Sequence, residues 1–189
     1  MTILKVCVLG DTECGKTSFT KRYTTGNFPN PAYLRTTIGA SFDTKKVSLG
    51  DGSDVTLSIW DFGGQSRFID HMKTMIRGAS LGLLFFDVSK LQTLDSLENF
   101  WLGAIEENSN LKPRGSDGAR FIVVGNKADL LGPDALDGVA NEMATFVKRY
   151  GMTGHIISAK TGVGFQELER DFMSKVERFR SVPVINGND

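Results

Sequence analysis

Residues 10–18 read Gly10-Asp11-Thr12-Glu13-Cys14-Gly15-Lys16-Thr17-Ser18. They match G-x-x-x-x-G-K-[ST], a glycine-rich turn whose backbone N–H groups can wrap a phosphate. The flanks agree with that pattern. Ile3-Leu4-Lys5-Val6-Cys7-Val8-Leu9 is β-branched and apolar like a buried strand, and Phe19 and Tyr23 beyond the turn sit one helical turn apart. Strand, turn and helix start therefore arrive in the order that sets an anion on a helix N-terminus, where the dipole adds partial positive charge. Glu13, Cys14, Gly15, Lys16, Thr17 and Ser18 are the candidate phosphate-binding residues. Lys16 is the group expected to reach the outer phosphates, and the Thr17 hydroxyl the one expected to ligate Mg²⁺.

Outward from that stretch, strand-like and helix-like segments alternate through most of the 189 residues, which predicts an α/β fold with a six-stranded, mostly parallel sheet. One exception is expected. The runs Phe42 to Leu49 and Val55 to Trp60 flank Gly50-Asp51-Gly52, the mark of an antiparallel hairpin. In the second run Val55, Leu57 and Ile59 alternate with Thr56, Ser58 and Trp60, so one face is buried. Leu81 to Phe86 and Phe121 to Val124 are continuous apolar runs, suited to parallel strands covered on both faces. His155-Ile156-Ile157 completes the set as a short last strand.

About five helices are expected to flank the sheet. The first runs from Lys16 to Thr25 and is halted by Gly26 to Pro31. Apolar stripes mark three others: Leu94, Leu97, Trp101 and Ile105; then Leu136, Val139, Met143, Phe146 and Val147; then Phe165, Leu168, Phe172, Val176 and Phe179. The loop from Asn108 to Ala119 is expected to be polar and mobile. A single domain over residues 1–181 and a short flexible tail over 182–189 are the expected organisation.

Composition narrows the setting. Lys plus Arg and Asp plus Glu each total 22, a balance that points neither to nucleic acid nor to an anionic surface. Only two cysteines occur, too few for a disulfide framework, so a reducing cytoplasmic interior is expected. Thr2 stands where myristoylation needs glycine, and residues 182–189 hold no cysteine for prenylation. No lipid anchor is therefore expected in this chain, and any approach to membranes would run through partners.

A phosphate loop alone leaves kinases, ATPases and GTPases open. Later stretches narrow the choice. Trp60-Asp61-Phe62-Gly63-Gly64-Gln65 ends a strand with a carboxylate that can hold Mg²⁺ or one of its waters. Gly64 lets a backbone N–H approach a terminal phosphate, and Gln65 can orient a water for in-line attack. Asn126-Lys127-Ala128-Asp129 follows a strand directly, where ligand loops of open α/β sheets belong. The Asp129 carboxylate can accept from the guanine ring N–H and its exocyclic amine; adenine lacks that pair and would leave it unpaired. Ser158-Ala159-Lys160 follows the last strand, where a backbone N–H can donate to the guanine carbonyl oxygen.

In this order and spacing the motifs resemble the small GTPases of the Ras superfamily, from about Ile3 to Phe179. Gly10-Asp11-Thr12, Thr37-Ile38-Gly39, Ile59-Trp60-Asp61 and the run from Gln65 to Arg77-Gly78-Ala79 resemble the Rab branch most. The resemblance implies a P-loop G-domain and a switch that binds GTP and GDP with Mg²⁺ and hydrolyses GTP slowly, with Lys16 and Gln65 as catalytic residues. It makes Thr37 a switch I metal ligand beside Thr17 and Asp61. It makes Phe28 the aromatic that packs against guanine, Lys127 the cover of the base, and Asn126 the tie between loops. It also implies effectors at switch I and switch II, a GTPase-activating protein and an exchange factor.

This chain departs from the family pattern in places. Thr12 and Glu13 replace small residues, which brings a carboxylate toward the γ-phosphate. Phe62-Gly63 replaces Thr-Ala, and Gly63-Gly64-Gln65 resembles the Arf branch. Phe42 and Trp60 match two of three effector-facing aromatics, with Met75 at the third position. A GTP-binding interaction module with little hydrolysis therefore stays open, as does an ATP-using small-molecule kinase. Arg35 reads as a solvated loop charge before a cis-acting arginine. His71 and His155 read as surface or strand-end residues, Cys14 as a space-filling thiol, and Trp101 as core.

Overall fold

A computed structural model of the chain describes residues 2–30, 32, 36–64 and 74–180. Strand β1 (Thr2–Gly10) runs into the glycine-rich turn and helix α1 (Lys16–Thr25), which stops at Gly26, whose N–H bonds the Arg22 carbonyl at 2.8 Å. The hairpin follows as β2 (Ala40–Ser48) and β3 (Asp54–Phe62). Next comes β4 (Leu81–Asp87), then α2 over residues 92–108, and β5 (Phe121–Asn126). The chain continues through α3 (Pro133–Tyr150), β6 (Thr153–Ile156) and α4 (Phe165–Phe179).

The six strands lie in the order β2-β3-β1-β4-β5-β6, with β2 antiparallel to β3 and every other neighbouring pair parallel. The alternation in β3 does what it predicts: Val55, Leu57 and Ile59 are buried, and Thr56, Ser58 and Trp60 are half-buried. β4 and β5 are buried along their whole length because both faces are covered. On one face Leu84, Phe86, Phe121 and Val123 pack against Leu97, Trp101 and Ile105 of α2 and Val139, Met143 and Phe146 of α3. On the other face Val6, Val8, Leu83 and Phe85 pack against Phe19 and Tyr23 of α1 and Leu168, Phe172 and Val176 of α4. Four helices thus flank the sheet among the described residues.

Two details depart from the sequence reading. Helix α2 is α-helical over Gln92–Ser96 and Leu102–Asn108 but has a π turn over Leu97–Trp101 between them. The stretch after it is not a free polar loop: Leu111 and Pro113 are buried, and the Lys112 N–H donates to Asp117 Oδ2 at 2.9 Å. Leu111 joins the core on the α2 and α3 side of the sheet. Residues 181–189, which include the whole of the expected tail 182–189, lie outside the described residues.

Candidate nucleotide site

Parallel pairing aims the C-terminal ends of β1, β3, β4 and β5 at one edge of the sheet, and the loops leaving them meet there. The register aligns Asp61 of β3 with Val8 of β1, just before the glycine-rich turn. Lys16, 5 % exposed at the start of α1, folds back over that turn and donates to the carbonyls of Gly10 at 2.7 Å and Asp11 at 2.6 Å. Burial lowers the Lys16 pKa, opposed by nearby Cys14, Asp61 and Asp11.

Three oxygen-bearing side chains from separate segments converge beside it. The Thr17 hydroxyl donates to Asp61 Oδ2 at 2.5 Å and lies 2.9 Å from the Thr37 hydroxyl, which itself reaches Asp61 Oδ2 at 3.4 Å. Asp61 is fully buried, and its Oδ1 has no hydrogen-bond partner among the described residues. Burial raises the pKa of that carboxyl, with the Thr17 hydrogen bond and Lys16 pulling the other way. A buried carboxylate with two hydroxyls on one oxygen and no partner on the other is a donor set suited to a small hard cation such as Mg²⁺.

A cavity of about 360 Å³ opens over these groups, lined by Thr12, Glu13, Lys16, Thr17, Thr37 and Gly64 among others. Gly64 lies so close to the turn that a Cβ there would stand 2.1 Å from the Thr12 nitrogen. Glu13 has φ 66°, a left-handed backbone that costs a residue with a Cβ about 1 kcal/mol. Its side chain is largely exposed and turns to Lys90 at 3.9 Å. The carboxylate expected near a terminal phosphate thus stands at the rim of the cavity with a cationic partner.

Gly15, Ser18 and Lys127 also line a second cavity of about 190 Å³, formed with Phe28, Asn126, Asp129, Ala159 and Lys160. Asn126 Nδ2 donates to the Cys14 carbonyl at 2.9 Å and its Oδ1 accepts from the Ala159 N–H at 2.9 Å, tying three loops together. Asp129 accepts from the Ser158 hydroxyl and lies 4.0 Å from the Lys160 ammonium. Cys14 itself is buried, and burial raises its thiol pKa, opposed by Lys16, which suits packing better than reactivity.

Most of the described candidate site residues line these two adjoining cavities, Phe28 included; Cys14, Asp61 and Ser158 do not, and are hydrogen-bonded to Asn126, Thr17 and Asp129, which do. Gln65 and Arg35 lie outside the described residues. Two contributors went unread in the sequence. Asp87, at the end of β4, is 2 % exposed and holds the Lys127 ammonium at 2.7 Å. Burial pulls its pKa up, but Lys127 and Ser89 outweigh that and hold it below the ordinary carboxylate value. A carboxylate closing the apolar run of β4 was the available signal. The other is the Trp101 indole, which donates to Asp11 of the turn at 2.8 Å.

The family model described as the Ras family matches residues 5–178. The chain belongs to the Ras family. Among relatives, Ras-related protein RABG3b of Arabidopsis thaliana is 40 % identical over 131 residues, 69 % of this chain and 62 % of the relative. Ras-related protein Rab7 of Pisum sativum is 34 % identical over 167 residues, covering 88 % of this chain and 78 % of the relative. The Ypt/Rab-type GTPase ypt7 of Pyricularia oryzae is 33 % identical over 165 residues. The alignment thus spans less than two thirds of RABG3b but more than three quarters of the Pisum protein. These relatives set this Ras-family chain on the Rab side of the superfamily, and its six-stranded sheet with one antiparallel pair is that of a Ras-like G-domain. No helix among the described residues is long and apolar enough to cross a membrane.

Proposed function

We propose that this Ras-family chain is a guanine-nucleotide switch that binds GTP and GDP with Mg²⁺, hydrolyses GTP slowly, and engages effectors in its GTP state, in trafficking or signalling. The observation that carries the reading is the convergence of the Thr17 and Thr37 hydroxyls, from different segments, on one oxygen of the buried Asp61 carboxylate, whose other oxygen has no partner among the described residues. Those three residues would hold Mg²⁺, which when bound supplies positive charge against the polyphosphate. Lys16 and the N–H groups of the turn spread the charge that develops on the transferred phosphoryl group, while Gln65, by its place in the motif, aligns water. Asp129 selects guanine and Asn126 couples the base loops to the phosphate turn. Intrinsic turnover is expected below about 1 per minute, leaving room for an activating protein, with an exchange factor for GDP release.

Exposed Ile38 and Phe42, the latter tilted against Trp60 with ring centres 5.9 Å apart, support effector docking at switch I. Competition decides the nucleotide: bound labelled GDP should yield to GTP but not to ATP when Mg²⁺ is present. Equal displacement by ATP would end the reading. For catalysis, Gln65→Leu should abolish most hydrolysis and spare GTP binding; unchanged turnover removes Gln65 from its role.

A second reading, a GTP-binding interaction module with little hydrolysis, is favoured by Glu13, whose carboxylate and strained backbone stand at the phosphate cavity rim. A long single-turnover assay on bound GTP separates the two: GTP that stays intact over hours favours the module.

A further inference from the structure

Trp101 is 2 % exposed, and a buried indole N–H needs an acceptor. It finds one in Asp11 Oδ1 at 2.8 Å, although the two residues are 90 positions apart. The reach is made by an irregular piece of backbone. Trp101 ends the π turn Leu97–Trp101, a rare widening of the helix found frequently at functional sites. Phe100 braces the indole edge-on at 5.2 Å.

Asp11 is the part of the turn on which two other groups rest. Its carbonyl accepts the Lys16 ammonium at 2.6 Å. Its peptide with Thr12 is the surface against which Gly64 packs, with no room for a Cβ. From this geometry we infer that Trp101 is a positioning residue for the nucleotide site, fixing the phosphate turn from α2 through the Asp11 carboxylate. The inference rests on the guanine-nucleotide reading and adds a control point to it. With the N–H in place the carboxylate is held against α2, and the Asp11–Thr12 peptide keeps the orientation that Lys16 and Gly64 need. Without it an unpaired carboxylate swings free in a turn built to hold an anion, and the turn loosens its grip. Because α2 carries the donor, whatever shifts α2 by a fraction of an ångström reaches the phosphates without touching them.

Release of a fluorescent GDP from the whole chain, in Mg²⁺ and well below the melting temperature, tests this. Trp101→Phe keeps most of the ring volume and loses the donor; it should release GDP about ten-fold faster than the parent, the scale of losing a hydrogen bond to a charged group. Asp11→Ala should do the same, and the double variant should be no faster than the quicker single. Asp11→Asn, whose amide oxygen still accepts the indole N–H, should restore slow release relative to Asp11→Ala. A merely structural tryptophan would lower the melting temperature but give additive effects and no distinction between Asp11→Asn and Asp11→Ala; that result overturns the inference. If Trp101→Phe does not fold, the Asp11 pair still decides, since equal release from Asn and Ala variants overturns it. Parent protein that binds no GDP overturns the nucleotide reading and this one with it; parent that holds GDP, with a folded Trp101→Phe that holds it equally, overturns this one alone.

Discussion

The hydroxyls of Thr17 and Thr37 stand 2.9 Å apart, one at the start of α1 and the other in the loop before β2, and both point at the carboxylate of Asp61. The contact helps close that loop over the cavity. Thr37→Ala removes that closure but leaves Thr17 and Asp61 in place. Its preference for GTP over GDP should fall roughly ten-fold, about 1.4 kcal/mol, measured by titrating labelled forms of both nucleotides in Mg²⁺. Removing the metal with a chelator should bring parent and variant together. A preference unchanged in Mg²⁺ would separate Thr37 from metal and γ-phosphate alike.

Gly63 controls how closely that loop can lie. Its N–H donates to the Gly39 carbonyl at 2.8 Å, and a Cβ on it would stand 2.3 Å from the Thr37 carbonyl oxygen. Gly63→Ala should push residues 36–39 outward and cost about 1–3 kcal/mol of stability through overpacking. Added to Thr37→Ala, it should lower the GTP preference no further, because both act on the same closure. Equal melting temperatures for parent and Gly63→Ala would show that the loop gives way freely.

Much of this was legible in residue order. A glycine-rich turn between an apolar strand and a 3.6-period stripe fixes where α1 must begin, and α1 begins at Lys16. Alternation at Val55, Leu57 and Ile59 reports a half-buried strand because the pleat has a period of two. What residue order conceals is pairing between distant elements. Trp101 reads as core, and it is core, yet periodicity along α2 carries no information about an acceptor in the phosphate turn. The π turn beneath it breaks the period that makes a helix readable. Nor does the sequence announce that Asp87 anchors Lys127, or that Lys5 of β1 donates to the Arg77 carbonyl at 2.9 Å while its ammonium lies 4.2 Å from the centre of the Trp60 ring. His155, read as a surface or strand-end residue, lies near the end of β6, and its carboxylate partner Asp171 comes from α4, a pairing residue order does not show.

Asp129 should decide between purines by one hydrogen bond at a time. Inosine nucleotides keep the ring N–H of guanine and lose the exocyclic amine. Parent protein should therefore prefer GDP to IDP by about ten-fold or more, and Asp129→Ala should bind the two almost equally. Asp129→Ala also frees the Ser158 hydroxyl that now donates to it, so weaker binding of both nucleotides is expected. A variant that still discriminates the two would assign the recognition to the Ser158–Lys160 loop.

The polar cluster under α4 predicts a pH dependence remote from the nucleotide. Asp171 accepts from the Thr153 hydroxyl at 2.5 Å and pairs with His155 Nε2 at 2.9 Å, while Lys175 lies 3.7 Å from its other oxygen. Burial pulls its pKa up, but the hydrogen bonds from His155 and Thr153 outweigh that and leave it below the ordinary value of 3.8. An acid whose folded pKa lies below its unfolded one binds fewer protons when folded. Its contribution is complete above pH 3.8 and is lost as pH falls through the lower, folded value. Asp171→Asn should therefore be less stable than the parent at pH 7, by about 1–2 kcal/mol, and the gap should close as both are acidified below pH 4. Urea unfolding at pH 7 and pH 3 measures this; a gap that keeps its size in acid would mean Asp171 acts through packing and not through its charge.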